Sequence, residues 1–336
     1  MAGGLTYTML DGADMATAEV YGRTLVELAK EHPEIVGFSG DLAKSTKIGL
    51  LADAFPERFF NVGIAEQNMF GMAAGMAKCG FVPFVSTFAS FATLRALEQL
   101  RTDVCYGNAN VKVIATHSGL SFGQAGSTHQ SPEDFGILRS ISNLVTLCPA
   151  DGMATAQAVE AVYEHNGPAY VRVNRGFDQK VYSEPIPDFR IGGSHTLMEG
   201  SDITIMASGA PVWRALQAAE RLRSEDGLSV RVIDLYSIKP LDEETIKAAV
   251  AETRRVITVE DANIAHGLGS AVADIAASTG KGFAFRKLGI PDKWSMIGQP
   301  EDLFAHYGYD ENGILETARE LMRIEIEEDD DWDDEV

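Results

Sequence analysis

The sequence predicts an α/β protein of two consecutive domains, each a mainly parallel sheet with helices on both faces. Three observations lead there. Short apolar runs without polar alternation recur along the chain, as strands buried on both faces require. Stretches with apolar residues at helical spacing separate them. Near mid-chain, residues 183–193 (SEPIPDFRIGG) are rich in Pro and Gly with no period, which marks a boundary. With 336 residues, 45% of them hydrophobic, the chain holds enough apolar material for two cores.

The first block opens with a helix over 16–30, then an apolar run at 35–39 that ends in Gly40-Asp41. A strand at 59–62 precedes a helix of small residues over 66–78, and further strands are predicted at 81–87, 111–117, 144–148 and 170–174. After the boundary the habit repeats, with strands at 203–207, 230–235, 256–260 and 283–288. Helices at 212–223, 243–252 and 268–277 lie between them. The expected domains are therefore 1–185 and 194–322, followed by an acidic tail over 323–336. From Glu325 onward the chain carries nine of its 49 acids, and such a like-charged run repels itself and reads as disordered.

Composition excludes several classes of function. A net charge of −21 argues against nucleic acid or an anionic membrane as partner. Cys79, Cys105 and Cys148 lie far apart with no CxxC pair, which excludes a disulfide framework or a Cys-based zinc site and fits a reducing cytoplasm. No apolar run would span a bilayer, and the first residues lack the basic and apolar regions of an export signal. No metal site is predicted in this chain. There is no P-loop, HExxH or GxSxG. Gly267-Leu268-Gly269 opens a helix, but Val272 replaces the third glycine of a dinucleotide fingerprint, so close packing of helix on sheet is the favoured reading.

In open parallel sheets, ligands bind beyond the carboxyl ends of the strands. The residues there are Gly40-Asp41, Gly63-Ile64-Ala65-Glu66, Ser86-Thr87-Phe88, Thr116-His117-Ser118 and Asn174-Arg175-Gly176, all from the first block. Taken singly, each has a structural explanation. A Glu at a helix start suits the macrodipole, and Phe88 with Phe91 has the spacing of a core pair. Asp41 could cap a helix, a lone His is usually a hydrogen-bonded residue, and Arg175 and Ser45 could be a surface ion pair and a turn residue.

Together they resemble something specific. Asn61-Val62-Gly63-Ile64-Ala65-Glu66-Gln67-Asn68 followed by Gly71-Met72-Ala73-Ala74-Gly75 resembles the pyrimidine-binding domain of thiamine-diphosphate enzymes. Gly40-Asp41-Leu42-Ala43-Lys44-Ser45 and Gly126-Ser127-Thr128-His129-Gln130 narrow the resemblance to transketolase and 1-deoxy-xylulose-5-phosphate synthase. The second block resembles the transketolase C-terminal domain. No GDG…N magnesium motif is present, so the resemblance is to the C-terminal half of a split transketolase.

The resemblance implies thiamine diphosphate as cofactor. It also implies an N-terminal partner subunit in an α₂β₂ assembly, supplying the diphosphate site and Mg²⁺ (or Ca²⁺). The implied reaction moves a two-carbon ketol unit from a ketose, phosphorylated in the family, to an aldose. Glu66 would hydrogen-bond the aminopyrimidine N1′ and activate the cofactor. Phe88 and Phe91 would wall the ring, Phe91 making the face contact, with Asp41 and Leu42 on the thiazolium side. His129 is the candidate for proton transfer at the sugar oxygen, and His117 for binding. Arg175 and Ser45 match phosphate contacts.

Three departures stand out. Ala18 replaces a phosphate-binding Arg, Ala125 replaces an Asp that reads the C2 hydroxyl, and Leu94 stands where Tyr is common. Losing a charge clamp and a stereochemical reader puts xylulose 5-phosphate and ribose 5-phosphate in doubt as the substrates. Two alternatives stand beside this reading: the β subunit of a 2-oxo acid dehydrogenase, which more often shows His-Ser-Gln than Thr128-His129-Gln130, and a regulatory pseudo-subunit without chemistry.

Overall fold

A computed structural model describes residues 16–176 and 178–326. The N-terminal fifteen residues, Phe177 and the acidic stretch 327–336 lie outside the described residues, and with them most of the predicted tail.

The chain forms two α/β domains. In chain order the first contains β1 (Ile35–Ser39), β2 (Phe59–Asn61), β3 (Val82–Phe88), β4 (Lys112–Thr116), β5 (Val145–Leu147) and β6 (Ala169–Arg172). The second contains β7 (His195–Met198), β8 (Ile203–Ala207), β9 (Val230–Asp234), β10 (Ser237–Lys239), β11 (Arg255–Asn263) and β12 (Ala284–Ile290). The first sheet runs β10-β5-β6-β4-β3-β1-β2 and the second β12-β11-β8-β9-β7. Every pairing among β1 to β6 is parallel. β1, β3, β4, β5 and β6 are buried along their whole length, which is why each reads as mainly apolar without polar alternation.

The predicted strands and helices are present, with ends shifted by one to a few residues. Glu66–Lys78, Ile203–Ala207 and Leu268–Ala277 have the predicted bounds. Two strands have no counterpart in the prediction. β7 is half-exposed, antiparallel to β9 and too polar to stand out. β10 belongs by sequence to the second block but pairs antiparallel with β5 of the first sheet, so the two domains share a sheet edge. Helices Pro300–His306 and Glu311–Met322 complete the second domain. Side-chain caps fix three helix starts: Asp151, Asp242 and Asp310 each accept from a backbone N–H three residues on.

A buried polar junction joins the domains. Arg172 donates to Asp134 at 2.7 Å, with both side chains almost fully enclosed, and its other arm donates to the Asp261 carbonyl at 2.6 Å. Asp261 in turn accepts from the Leu120 N–H and the Tyr309 hydroxyl.

The Gly267-Leu268-Gly269 turn is a packing device. The buried Glu260 carboxylate accepts from the Leu268 and Gly269 N–H groups at 2.6 and 2.8 Å. A Cβ on Gly267 would stand 1.7 Å from a Glu260 oxygen. The helix start that a dinucleotide would use is filled by the protein's own carboxylate.

Candidate active site

Because β1 to β6 are parallel, their carboxyl ends gather Asp41, the Gly63–Glu66 turn, Phe88, His117 and Arg175 at one edge of the first sheet. Asn61 stitches the first two together. Its Oδ1 accepts from the Asp41 and Gly63 N–H groups at 3.1 Å each, and its Nδ2 donates to Asp41 Oδ1 at 3.3 Å. Both turns need left-handed backbone, at φ 66° for Asp41 and 73° for Gly63. Asp41 caps no helix: Leu42 holds the cap position of Ala43–Thr46, without a side-chain bond. Ser45 is exposed on that short helix.

Glu66 begins the helix Glu66–Lys78 and is only 3% exposed, so it is not a solvated acid at a helix start. It faces an open depression of about 600 Å³ lined by Ile64, Ala65, Gln67, Asn68 and Arg95. The last of these was not anticipated from the sequence. Arg95 Nη1 donates to the two Glu66 oxygens at 3.1 and 3.3 Å, and its guanidinium carbon lies 3.7 Å from the centre of the Phe91 ring. The cause is local: Phe91–Arg95 is a π-helical turn, closed by Ala96 N–H donating to the Phe91 carbonyl at 3.3 Å, and Arg95 comes to lie over Phe91. Leu94 is 53% exposed and Arg95 supplies the wall.

An aromatic box adjoins this depression. Phe88 and Phe91 are stacked at 5.4 Å, and Phe88 stacks on His117 at 3.8 Å. His129 meets Phe88, Phe91 and Phe122 edge-on at 6.0, 5.3 and 5.9 Å. Arg175 lies 4.4 Å from the centre of the Phe122 ring and is exposed. Phe122 was also missed; its only signal was an aromatic placed between the two histidines.

His117 is 4% exposed, sits at φ 58° and has Nδ1 at 2.9 Å from Thr116 Oγ1. Burial, reinforced by Arg175 and His129, pushes its pKa down to about 3, so it stays neutral at physiological pH. The loop carrying His129 is held by the second domain. Gln130 Nε2 donates to the Gly123 and Met296 carbonyls at 3.1 Å each, and Ser127 Oγ donates to the Ser295 carbonyl at 3.3 Å. Gly126, at φ 77°, has Ile297 3.2 Å from where a Cβ would sit.

The other two departures, Ala18 and Ala125, fall differently. Ala18 is 2% exposed, a core position in the first turn of Thr17–Glu31, whereas Ala125 is half-buried in the His129 loop. Among the described residues no group of three or more His, Cys, Asp or Glu is arranged to hold a metal ion, and no helix is long and apolar enough to cross a membrane.

The site fits a flat nitrogen heterocycle. It offers a buried carboxylate acceptor and an aromatic face, and a planar N–H donor already satisfies both at van der Waals and hydrogen-bond distance.

Comparison with known proteins agrees with this geometry. The family model "Transketolase, pyrimidine binding domain" matches residues 13–177, and "Transketolase, C-terminal domain" matches 192–314. A putative transketolase C-terminal section from Methanocaldococcus jannaschii is 41% identical, over 94% of this chain and 99% of its own length. One of the subunits of an apulose-4-phosphate transketolase from Phocaeicola vulgatus is 37% identical over 92% and 98%. A solved split gene transketolase, described as an inactive beta4 tetramer, superposes with a TM-score of 0.81 at 40% identity, covering 92% of this chain and 98% of that one. The chain belongs to the transketolase family and, within it, to the C-terminal sections of split transketolases.

Proposed function

We propose that this chain is the pyrimidine-side subunit of a thiamine-diphosphate-dependent transketolase. The complex moves a two-carbon ketol unit from a phosphorylated ketose to an aldose and is active only with an N-terminal partner. The carrying observation is the burial of Glu66 at 3% exposure against an open depression beside Phe91. Glu66 is enclosed but its ion-pair partner among the described residues, Arg95, is half exposed, so the carboxylate beside an aromatic wall stays open to a flat ring that enters the depression.

When bound, thiamine diphosphate supplies the carbanion chemistry that breaks and forms the carbon–carbon bond next to a carbonyl. This chain's residues hold, orient and move protons around it. Glu66 would share a proton with the ring at N1′ and so favour its imino form, Phe91 would offer its face, and Phe88 supports Phe91 from the side. Asp41 and Leu42 follow β1 and would face the thiazolium end of the cofactor. His129, hinged on the loop and edge-on to three aromatic rings, transfers the proton at the sugar oxygen. His117, held neutral, binds a sugar hydroxyl and stores no proton. Arg175 and Ser45, both exposed, would take the substrate phosphate, for which a guanidinium fork is well shaped.

The partner supplies the diphosphate and Mg²⁺ (or Ca²⁺) site, in an α₂β₂ assembly of cytoplasmic subunits. The two domains of this chain divide between residues 185 and 194. The kinship with a transketolase subunit named for a phosphorylated sugar supports the substrate class. Ala125 supports an acceptor or donor other than the ordinary pentose pair.

Reconstitution tests the reading. Mixed with a polypeptide carrying the diphosphate-binding half, the chain should transfer ketol units only in the presence of thiamine diphosphate. Glu66→Ala should cut turnover at least about 10²-fold, as loss of a group acting in proton transfer does, with the thermal unfolding curve little changed. Ketol transfer by the isolated chain would refute the two-component arrangement.

A further inference from the structure

Arg95 has no part in the chemistry assigned above, yet it occupies the space that chemistry needs. Its guanidinium carbon is 3.7 Å from the centre of Phe91, so the ring face is covered at contact distance. The same group donates to both Glu66 oxygens, and among the described residues it is the only hydrogen-bond partner of that carboxylate. One flat, cationic N–H donor thus fills at once the two contacts proposed for the cofactor ring. Two planar groups cannot share one face of Phe91, nor can both stand against the same Glu66 oxygens.

The two partners are unequally enclosed. The Glu66 side chain is 3% exposed and the Arg95 side chain 46% exposed. Arg95 can leave toward solvent while Glu66 cannot follow it, and a buried carboxylate left alone is costly.

We propose that Arg95 is an internal stand-in for the cofactor ring. It pairs Glu66 and covers Phe91 while the ring site is empty, and it swings off both when an aminopyrimidine enters. The inference rests on the cofactor reading and adds a competition that the reading does not require. Arg95 keeps Glu66 satisfied before the cofactor arrives, at the cost of ring affinity. It is a positioning residue, not a catalytic one.

Titration of the isolated subunit with 4-amino-5-hydroxymethyl-2-methylpyrimidine, followed by NMR, tests this. Arg95→Met keeps the aliphatic stem and removes the donor, and should bind the pyrimidine about tenfold more tightly than the unaltered chain, the ratio expected for relief of one modest competing contact. In the unaltered chain labelled with ¹⁵N-arginine, the Arg95 Nε–H resonance should be shifted upfield by the Phe91 ring current and lose that shift as the pyrimidine saturates. Equal or weaker binding by Arg95→Met, no binding by either chain, or an Arg95 resonance unmoved by saturation would overturn the proposal. Titrating the assembled subunit pair with thiamine diphosphate separates the two failures. Binding there with no gain in Arg95→Met refutes only the stand-in, whereas no binding there refutes the cofactor reading itself.

Discussion

His117 shows how one residue's surroundings decide its role. Stacked 3.8 Å from Phe88 and 4% exposed, it cannot take up a proton without losing solvation beside Arg175, so its pKa falls to about 3. In the unfolded chain the same imidazole titrates near its ordinary value of about 6.5. Between those two values the unfolded state binds the extra proton. The stability His117 contributes is therefore whole above pH about 6.5 and is lost as pH falls toward 3. Urea unfolding at pH 7 and pH 5 should show the decline, and His117→Asn, which tolerates the left-handed backbone, should flatten it. An unchanged slope in the variant would remove His117 from the account. The grouping of Glu66, Phe88, His117 and Arg175 beyond the strand ends was legible because each follows a strand of one parallel sheet. Arg95 and Phe122 were not, because their contacts depend on a widened turn and a loop fold that carry no spacing signature.

At the level of elements, the signal was strongest where one segment determines its own state. The helix Glu66–Lys78 matched its prediction end to end, because small residues and a helix-start acid agree. The helix Leu268–Ala277 matched too, but what anchors it is tertiary. Its first turn closes on buried Glu260, whose pKa burial raises to about 7 against the pull of two N–H donors. With a Cβ position 1.7 Å from that carboxylate, Gly267→Ala must displace either the Glu260 carboxylate from its two N–H donors or the helix that carries them. The expected loss is about 1–3 kcal/mol, in the range for overpacking, and chemical denaturation would measure it; a change near zero would show that the turn is loose. β7 and β10 escaped prediction for the complementary reason. Each is short, and each exists because a neighbouring strand offers it a ladder: β9 for one, β5 for the other.

Across the whole molecule, the second domain does more than follow the first. It lends β10 to the first sheet, holds the His129 loop through Met296 and Ser295, and receives Arg172 at the Asp261 carbonyl. The Arg172–Asp134 pair is the most enclosed ion pair at this junction, with side-chain exposures of 2% and 0%. Arg172→Met would leave Asp134 buried and unpaired and should cost about 3–5 kcal/mol, as broken buried pairs do. A double replacement of Arg172 and Asp134 by apolar residues should recover part of that loss. Thermal unfolding of the two variants distinguishes a pair that stabilises from one that merely avoids a penalty. Near-equal melting of Arg172→Met and the unaltered chain would mean that the junction tolerates the bare carboxylate.

By itself the sequence determined the α/β class, most of the strands, the family and the acid and histidines at the strand ends. Those follow from local patterns: apolar runs for enclosed strands, helical spacing between them, and a motif whose residues lie close along the chain. Only the tertiary structure decided which groups meet. It placed Arg95 on Glu66 and Phe91, closed the aromatic box with Phe122, neutralised His117 and tied the His129 loop to the second domain. Burial and contact across tens or hundreds of residues set partners and protonation, and no window of sequence contains both sides of such a contact.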